Sequence, residues 1–345
     1  GLPQSGKTTL FNAVSGLKEA VGDYSRAVHR AVIKVPDERL DNLALIANPA
    51  KVTHAEIEFL DAAGFSGKGK ESRSDLEISP ELRLMEALVL VLDAFSPGAD
   101  PERDLRTLQD EMILADMMVL ENNIDKLSRT IKLTGRMERA RELDVLQRCQ
   151  QALEENRPIA ELKLSEEEDK LIRGYAFLSK KPQLAVFNIS EDNISNIESL
   201  TDNYAAYVRP EVRDIAVICG KIEMEISQLA EEERSEFLKE LGIKRPAVEK
   251  FIRQSYSLLG LISFFTSGPP EARAWTIRRG STAKNAAGAV HTDFERGFIR
   301  AEVASYEDYM RYKTLPALKA AAKLHIEGKD YIVQDGDVIL FRFNV

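Results

Sequence analysis

Ile113, Met117, Leu120, Ile124, Leu127 and Ile131 recur at steps of three and four residues, with charged positions of both signs between them. That spacing predicts one apolar face of a long helix. Leu143, Leu146 and Leu153 predict a second helix, and Gly135 suits the break between them, so the two are expected to pack as a hairpin arm. The pattern differs on either side of the arm. Ala87–Phe95 (ALVLVLDAF), PQLAVFN and DIAVICG are continuous apolar runs of strand length. Strands covered on both faces read this way. Helical stretches alternate with them, as a doubly wound, mostly parallel α/β sheet requires. From about Leu259 the rhythm changes again, to short strands around Trp275, Phe298 and Ile339 and polar turns such as Asp335-Gly336-Asp337. The expected domains are 1–115 with 179–258, an inserted helical arm over 116–178, and a C-terminal domain over 259–345.

The first residues add chemistry. GLPQSGKTTLFNAVSG places Gly1, Gly6, Lys7 and Thr8 in the phosphate-loop pattern G-x-x-x-x-G-K-[ST]. The glycines permit turns that aim backbone N–H groups of Gly1, Gln4, Ser5, Gly6 and Thr9 at phosphate oxygens. Lys7 is expected at the β- and γ-phosphates and Thr8 at Mg²⁺. Leu10, Phe11 and Val14 give the following helix a buried face, and its N-terminus favours anions. The sequence starts at the loop itself, so the strand that ordinarily precedes such a loop is expected to lie before Gly1.

Ile57 to Leu60 reads as a buried strand ending in Asp61, followed by Ala62, Ala63, Gly64 and Phe65. A strand-end Asp of this kind holds Mg²⁺ through water in phosphate-loop enzymes. Gly64 can bring its N–H to the γ-phosphate. Phe65 stands where Ras-like GTPases use a Gln to orient water, and it cannot hydrogen-bond that water. The expected catalytic set is therefore Lys7, Asp61 and Gly64.

Composition restricts the partners. The 345 residues carry a net charge of −9, so nucleic acid contact needs a local basic patch. Arg273, Arg278, Arg279, Lys284, Arg296 and Arg300 lie in one stretch with few acids. Phosphate contact and a solvated strand face are both open readings of it. Cys149 and Cys219 are far apart and the four histidines are scattered, which argues against a zinc site and suits a reducing compartment. No apolar run approaches membrane-spanning length.

Three long stretches carry a resemblance: VPDERLDNLA, LISFFTSGPPEARAWTIRRGSTAKNAAGAVHTDFERGFIRAEV and YIVQDGDVILFRFNV. With the loop and DAAG, they make the chain similar to the YchF/Obg-like ATPase family of translation-factor-related P-loop NTPases. The resemblance covers nearly the whole chain. It implies a C-terminal TGS domain of ubiquitin-like β-grasp fold, a Mg²⁺ cofactor, ATP as substrate, ribosome or ribosomal RNA as partner, no DNA or membrane, and a cytoplasmic location.

It also bears on Asn188-Ile189-Ser190-Glu191 (NISE). GTPases use N-K-x-D, whose Asp accepts two hydrogen bonds from guanine. Glu191 is longer and Ile189 replaces the Lys. The resemblance implies N-x-x-E with ATP preference, Asn188 meeting adenine and the backbone and side chain of Ile189 lining the base pocket. A turn-capping role for Asn188 remains the alternative. Cys219-Gly220-Lys221 stands where relatives have a base-side Ser-Ala-Lys loop.

The resemblance is weakest at the first switch. Tyr24 is followed by Ser25-Arg26-Ala27-Val28-His29, without the Thr that ligates Mg²⁺ in relatives. The SPGADPERD loop also lacks the His found there in several relatives. Nucleotide binding with slow hydrolysis is the leading expectation. A GTPase of the same fold and a non-hydrolysing nucleotide- and ribosome-binding module are its alternatives. A small-molecule kinase lacks an acceptor-site motif.

Overall fold

The computed structural model describes residues 1–17, 28–62, 79–134, 139–208 and 212–344. In chain order the elements are α1 (Lys7–Ser15), β1 (His29–Lys34), α2 (Glu38–Ala47), β2 (Val52–Thr53), β3 (Glu56–Asp61), α3 (Pro80–Leu84), β4 (Leu88–Ala94), α4 (Pro101–Thr134), α5 (Ala140–Glu154), α6 (Glu166–Ile172), β5 (Gln183–Ile189), α7 (Ile197–Ala205), β6 (Val212–Ile218), α8 (Gly220–Gln228), α9 (Glu231–Glu240) and α10 (Ala247–Leu258). Then follow β7 (Leu261–Ser267), β8 (Ala272–Arg278), α11 (Ala283–Val290), α12 (Thr292–Arg296), β9 (Phe298–Ala304), α13 (Tyr306–Tyr312), α14 (Leu315–Ala320), β10 (His325–Glu327) and β11 (Val338–Phe343). They divide into two compact units, Gly1–Ala31 with Phe59–Val248, and Val32–Glu58 with Glu249–Val345.

In the first unit β4, β5 and β6 form a parallel sheet in that order, with Asp93 opposite Asn188 and Asn188 opposite Ile218. Every residue of β5 is buried, as its unbroken apolar run predicts. β3 is only half-buried: Ile57 is its one buried residue. α4, about 50 Å long at 1.5 Å per residue, serves two cores. Leu105, Leu108, Met112 and Ala115 pack on the sheet beneath it. Ile113, Leu120 and Leu127 turn instead to Val145, Leu146, Cys149 and Leu153 of α5, with Met117, Ile124 and Ile131 alongside. The seven-residue steps are those of an antiparallel helical seam. The expected break at Gly135 lies outside the described residues.

A buried carboxylate marks the change from one core to the other. Asp116, fully buried, accepts from the backbone N–H groups of Leu178 (3.0 Å) and Ser179 (2.8 Å), from the Ser179 hydroxyl (2.8 Å) and from Arg83 (3.1 Å). A second buried carboxylate, Glu223 on α8, accepts from the N–H groups of Ala247 (2.7 Å) and Val248 (3.1 Å). It satisfies donors that the first turn of α10 cannot pair internally.

The second unit is a β-grasp. The β7–β8 hairpin pairs Leu261 with Arg278 through Ser267 with Ala272. β11 returns beside β7 in parallel and pairs antiparallel with β9, giving the order β10-β9-β11-β7-β8-β2. α11 lies on one face through Ala283, Ala286 and Ala287, all fully buried, against Ile262, Phe264, Ile277, Val303 and Phe341. Alanines there let the helix approach the sheet closely.

Residues 32–58 depart from the sequence-based boundaries, which put them in the nucleotide domain. They cluster with the C-terminal part of the chain. β2 extends the β-grasp sheet beside β8 (Val52 opposite Ala272), and α2 packs on β7 and β8 through the fully buried Leu40 and Leu43. Arg39 fixes α2 there. Its guanidinium donates to Asp37 (2.9 and 2.8 Å) and to Asp335 (3.1 and 3.2 Å), and it lies 5.2 Å over the Phe265 ring. Thus VPDERLDNLA and the QDGD turn, far apart in sequence, form one structural element. Among the described residues no helix is long and apolar enough to cross a membrane.

Candidate functional site

The site begins with backbone geometry. Gln4 (φ 64°) and Gly6 (φ 88°) both adopt the left-handed conformation on either side of Ser5. Such alternation turns successive N–H groups toward one point and makes an anion-binding concavity. A non-glycine residue at positive φ is costly, and such strain concentrates at ligand sites. α1 starts directly after Gly6 and carries no acidic residue in its first turn, so its positive end is uncompensated.

Space explains the glycines. A Cβ on Gly1 would stand 2.2 Å from the Val91 carbonyl oxygen, and one on Gly6 would stand 2.1 Å from Asn188 Nδ2. The Asn188 side chain is thereby pressed against the loop. Its Nδ2 donates to the Ser5 carbonyl (3.1 Å), and its Oδ1 accepts from the Gly220 N–H (2.9 Å). Asn188 ties the phosphate loop to the β6–α8 turn. This link was not anticipated from the sequence, and the amide keeps one N–H and one lone pair for a base.

Lys7 arches back over the loop and donates to the carbonyls of Gly1 (3.1 Å) and Leu2 (2.8 Å). Burial pulls its ammonium below its ordinary value, and the Asp61 carboxylate pulls it partly back. Thr8 Oγ1 donates to Asp61 Oδ2 at 2.9 Å, bringing together the two predicted metal-side residues from α1 and the end of β3. Among the described residues there is no cluster of three or more His, Cys, Asp or Glu side chains able to hold a metal. A phosphate-loop Mg²⁺ needs none, because its remaining ligands are phosphate oxygens and water. The hard oxygens of Thr8 and Asp61 fit that ion.

The other predicted residues fall less uniformly. Ser5 is buried in the loop. Thr9 is half-buried on the first turn of α1. Ile189 is 2% exposed and packs within the sheet core, which corrects the expectation that its side chain lines a base pocket. Glu191 begins the short helix after Ser190 and forms an ion pair with Lys221. Gly64, Phe65, Tyr24, Ser25, Arg26 and Ala27 lie outside the described residues. Burial pushes the Cys219 thiol up, in keeping with an unreactive cysteine.

Phe95 was not singled out from the sequence. It is 40% exposed and lies 3.9 Å from where a Gly6 Cβ would be. Asp93 Oδ1 accepts from the N–H groups of both Phe95 and Ser96 at 3.0 Å, and this turn presents the ring. An exposed aromatic at a loop tip has no sequence signature of its own.

The whole chain has relatives of similar sequence. The chain is 39% identical over 360 residues to the ribosome-binding ATPase YchF of Bacillus subtilis (strain 168), covering 100% of this chain and 98% of that protein. The chain belongs to the YchF family. YchF proteins of Haemophilus ducreyi and Escherichia coli O157:H7, also named ribosome-binding ATPases, are each 38% identical over 357 residues with the same coverage. The family model YchF-GTPase_C, described as "Protein of unknown function (DUF933)", matches residues 261–344, the β-grasp strands and their connections. The solved YchF structure from Schizosaccharomyces pombe superimposes with a TM-score of 0.80 at 28% identity, over 99% of this chain and 95% of that one. Its title calls it a GTPase, whereas the bacterial YchF proteins are named ATPases. Relatives with one fold thus bear names that differ in the base.

Proposed function

We propose that the chain is a Mg²⁺-dependent P-loop ATPase that prefers ATP to GTP, turns over slowly and binds the ribosome according to nucleotide state. The observation that carries the reading is the pairing of Thr8 with Asp61 beside Lys7 and the left-handed loop. The names of the bacterial relatives favour ATP and the ribosome.

The chain's residues do most of the work by position and charge. Backbone N–H groups from Gln4 to Thr9 hold the phosphates. Lys7 moves from the Gly1 and Leu2 carbonyls to the β- and γ-phosphate oxygens and offsets charge that develops there. Thr8 and Asp61 are the residues that would hold Mg²⁺, and when bound the ion would supply neutralisation of phosphate charge. Phe95 offers an aromatic face on the base side of Gly6, and Asn188 keeps loop and base turn in register.

Ribosome contact is assigned to the β-grasp unit. Arg278, Arg279, Lys284 and Arg296 are exposed at the end of β8, in the turn after it, at the start of α11 and at the end of α12. Arg273 stacks on Trp275 with its guanidinium carbon 3.9 Å from the ring centroid. Cations of this kind bind phosphate backbones even on an acidic protein.

Co-sedimentation with ribosomes in ATP, in ADP and without nucleotide tests the reading. Binding that differs between ATP and ADP, and weakens as salt rises, is expected. Failure to co-sediment in any state would overturn the ribosome assignment and leave the ATPase assignment to the kinetic test below.

A further inference from the structure

Two turns leave the C-terminal ends of the adjacent strands β5 and β6, the edge at which open parallel sheets bind ligands. Asn188 joins them once through the Gly220 N–H. Lys221 joins them a second time through its ion pair with Glu191, three residues beyond Asn188. The second link is exposed: the side chains of Lys221 and Glu191 are 64% and 46% accessible. The hydrogen bond to Glu191 holds the Lys221 ammonium above its usual range.

Purines place opposite demands on such a pair. Guanine presents two donors side by side, N1–H and the 2-amino group, and is best met by a free carboxylate. Adenine has an acceptor at N1 and no 2-amino group, so it gains nothing from that fork. A carboxylate already engaged by an ammonium has fewer lone pairs to offer. Guanine must then displace a cation, whereas adenine N1 can accept from one.

We propose that Lys221 is a specificity-determining residue: by engaging Glu191 it withdraws the carboxylate from guanine and leaves adenine the favoured base. The inference rests on the ATP reading above and goes beyond it, because the discrimination is placed in the pair rather than in the length of Glu191. It is discrimination against a competitor more than attraction to the substrate. A pair that merely stiffened the turns would move both affinities together.

The test is calorimetric binding of ATP and GTP with Mg²⁺ to the wild type and to Lys221→Met, Lys221→Gln and Lys221→Arg, with thermal unfolding as the control for folding. In Met and Gln the ATP-to-GTP affinity ratio is expected to fall by about threefold or more, the scale of an exposed ion pair, chiefly because GTP tightens. Arg should keep the ratio. A wild type that prefers ATP, with Met and Gln variants that keep that preference unchanged, overturns the inference and spares the ATP reading. A wild type with no preference for ATP overturns both.

Discussion

Asn188 and Gly6 share a space with no room for a methyl group: a Cβ on Gly6 would stand 2.1 Å from Asn188 Nδ2. Strand β5 and the loop before α1 are thus fitted to one another before any nucleotide is considered. Asn188→Ala would leave the Ser5 carbonyl and the Gly220 N–H without this partner. The expected loss of stability is about 1–3 kcal/mol, measured by urea unfolding, together with weaker nucleotide binding. A variant that lost binding with unchanged stability would mean that Asn188 serves the base alone.

Thr8 is predicted to act through its hydroxyl. Thr8→Val keeps the shape of the side chain and removes the oxygen that meets Asp61. The Mg²⁺ concentration giving half-maximal ATP turnover should rise about tenfold or more, the outcome for loss of one direct ligand, and Thr8→Ser should restore it. A Mg²⁺ titration of phosphate release checks this, and an unchanged midpoint in the Val variant would remove Thr8 from the metal site.

Lys181 gives the pH dependence a sign. Its ammonium donates to the carbonyls of Arg83 and Met85, and burial, reinforced by the Arg83 charge, lowers its pKa to about 8. The unfolded chain therefore binds more protons than the native one between about pH 8 and the ordinary lysine value of 10.5. Stability from this group rises with pH across that window and is flat below it. Denaturant unfolding at pH 7, 8, 9 and 10 should show wild type gaining on Lys181→Met above pH 8, and a constant difference would contradict the assignment.

The local patterns were legible in the sequence because local physics sets them. The phosphate-loop spacing, the α4–α5 seam and the apolar strands β4, β5 and β6 all lie where their patterns put them. Long-range choices were not legible. Leu40 and Leu43 announce an amphipathic α2, but nothing local says that its apolar face covers β7 and β8. That choice depends on Asp335, 296 positions beyond Arg39, completing the guanidinium's set of acceptors. Ile189 was misread for a related reason. Its place in a base motif suggested a side chain exposed to a base, whereas β5 is covered on both faces and the side chain packs in the sheet core. The Glu191–Lys221 pair joins two turns whose separate sequences give no sign of each other.

The most direct test of the account is phosphate release from ATP with Mg²⁺ by the wild type and by Lys7→Ala, with circular dichroism confirming that both are folded. Among the described residues Lys7 hydrogen-bonds only the Gly1 and Leu2 carbonyls of the loop, so its loss should remove charge from the phosphates without opening the core. The account predicts slow but measurable turnover by the wild type and a loss of about a hundredfold or more in the variant, the scale of a lost transition-state charge contact. Equal rates in the two proteins would contradict it, because the Lys7 loop would then not be where ATP is hydrolysed.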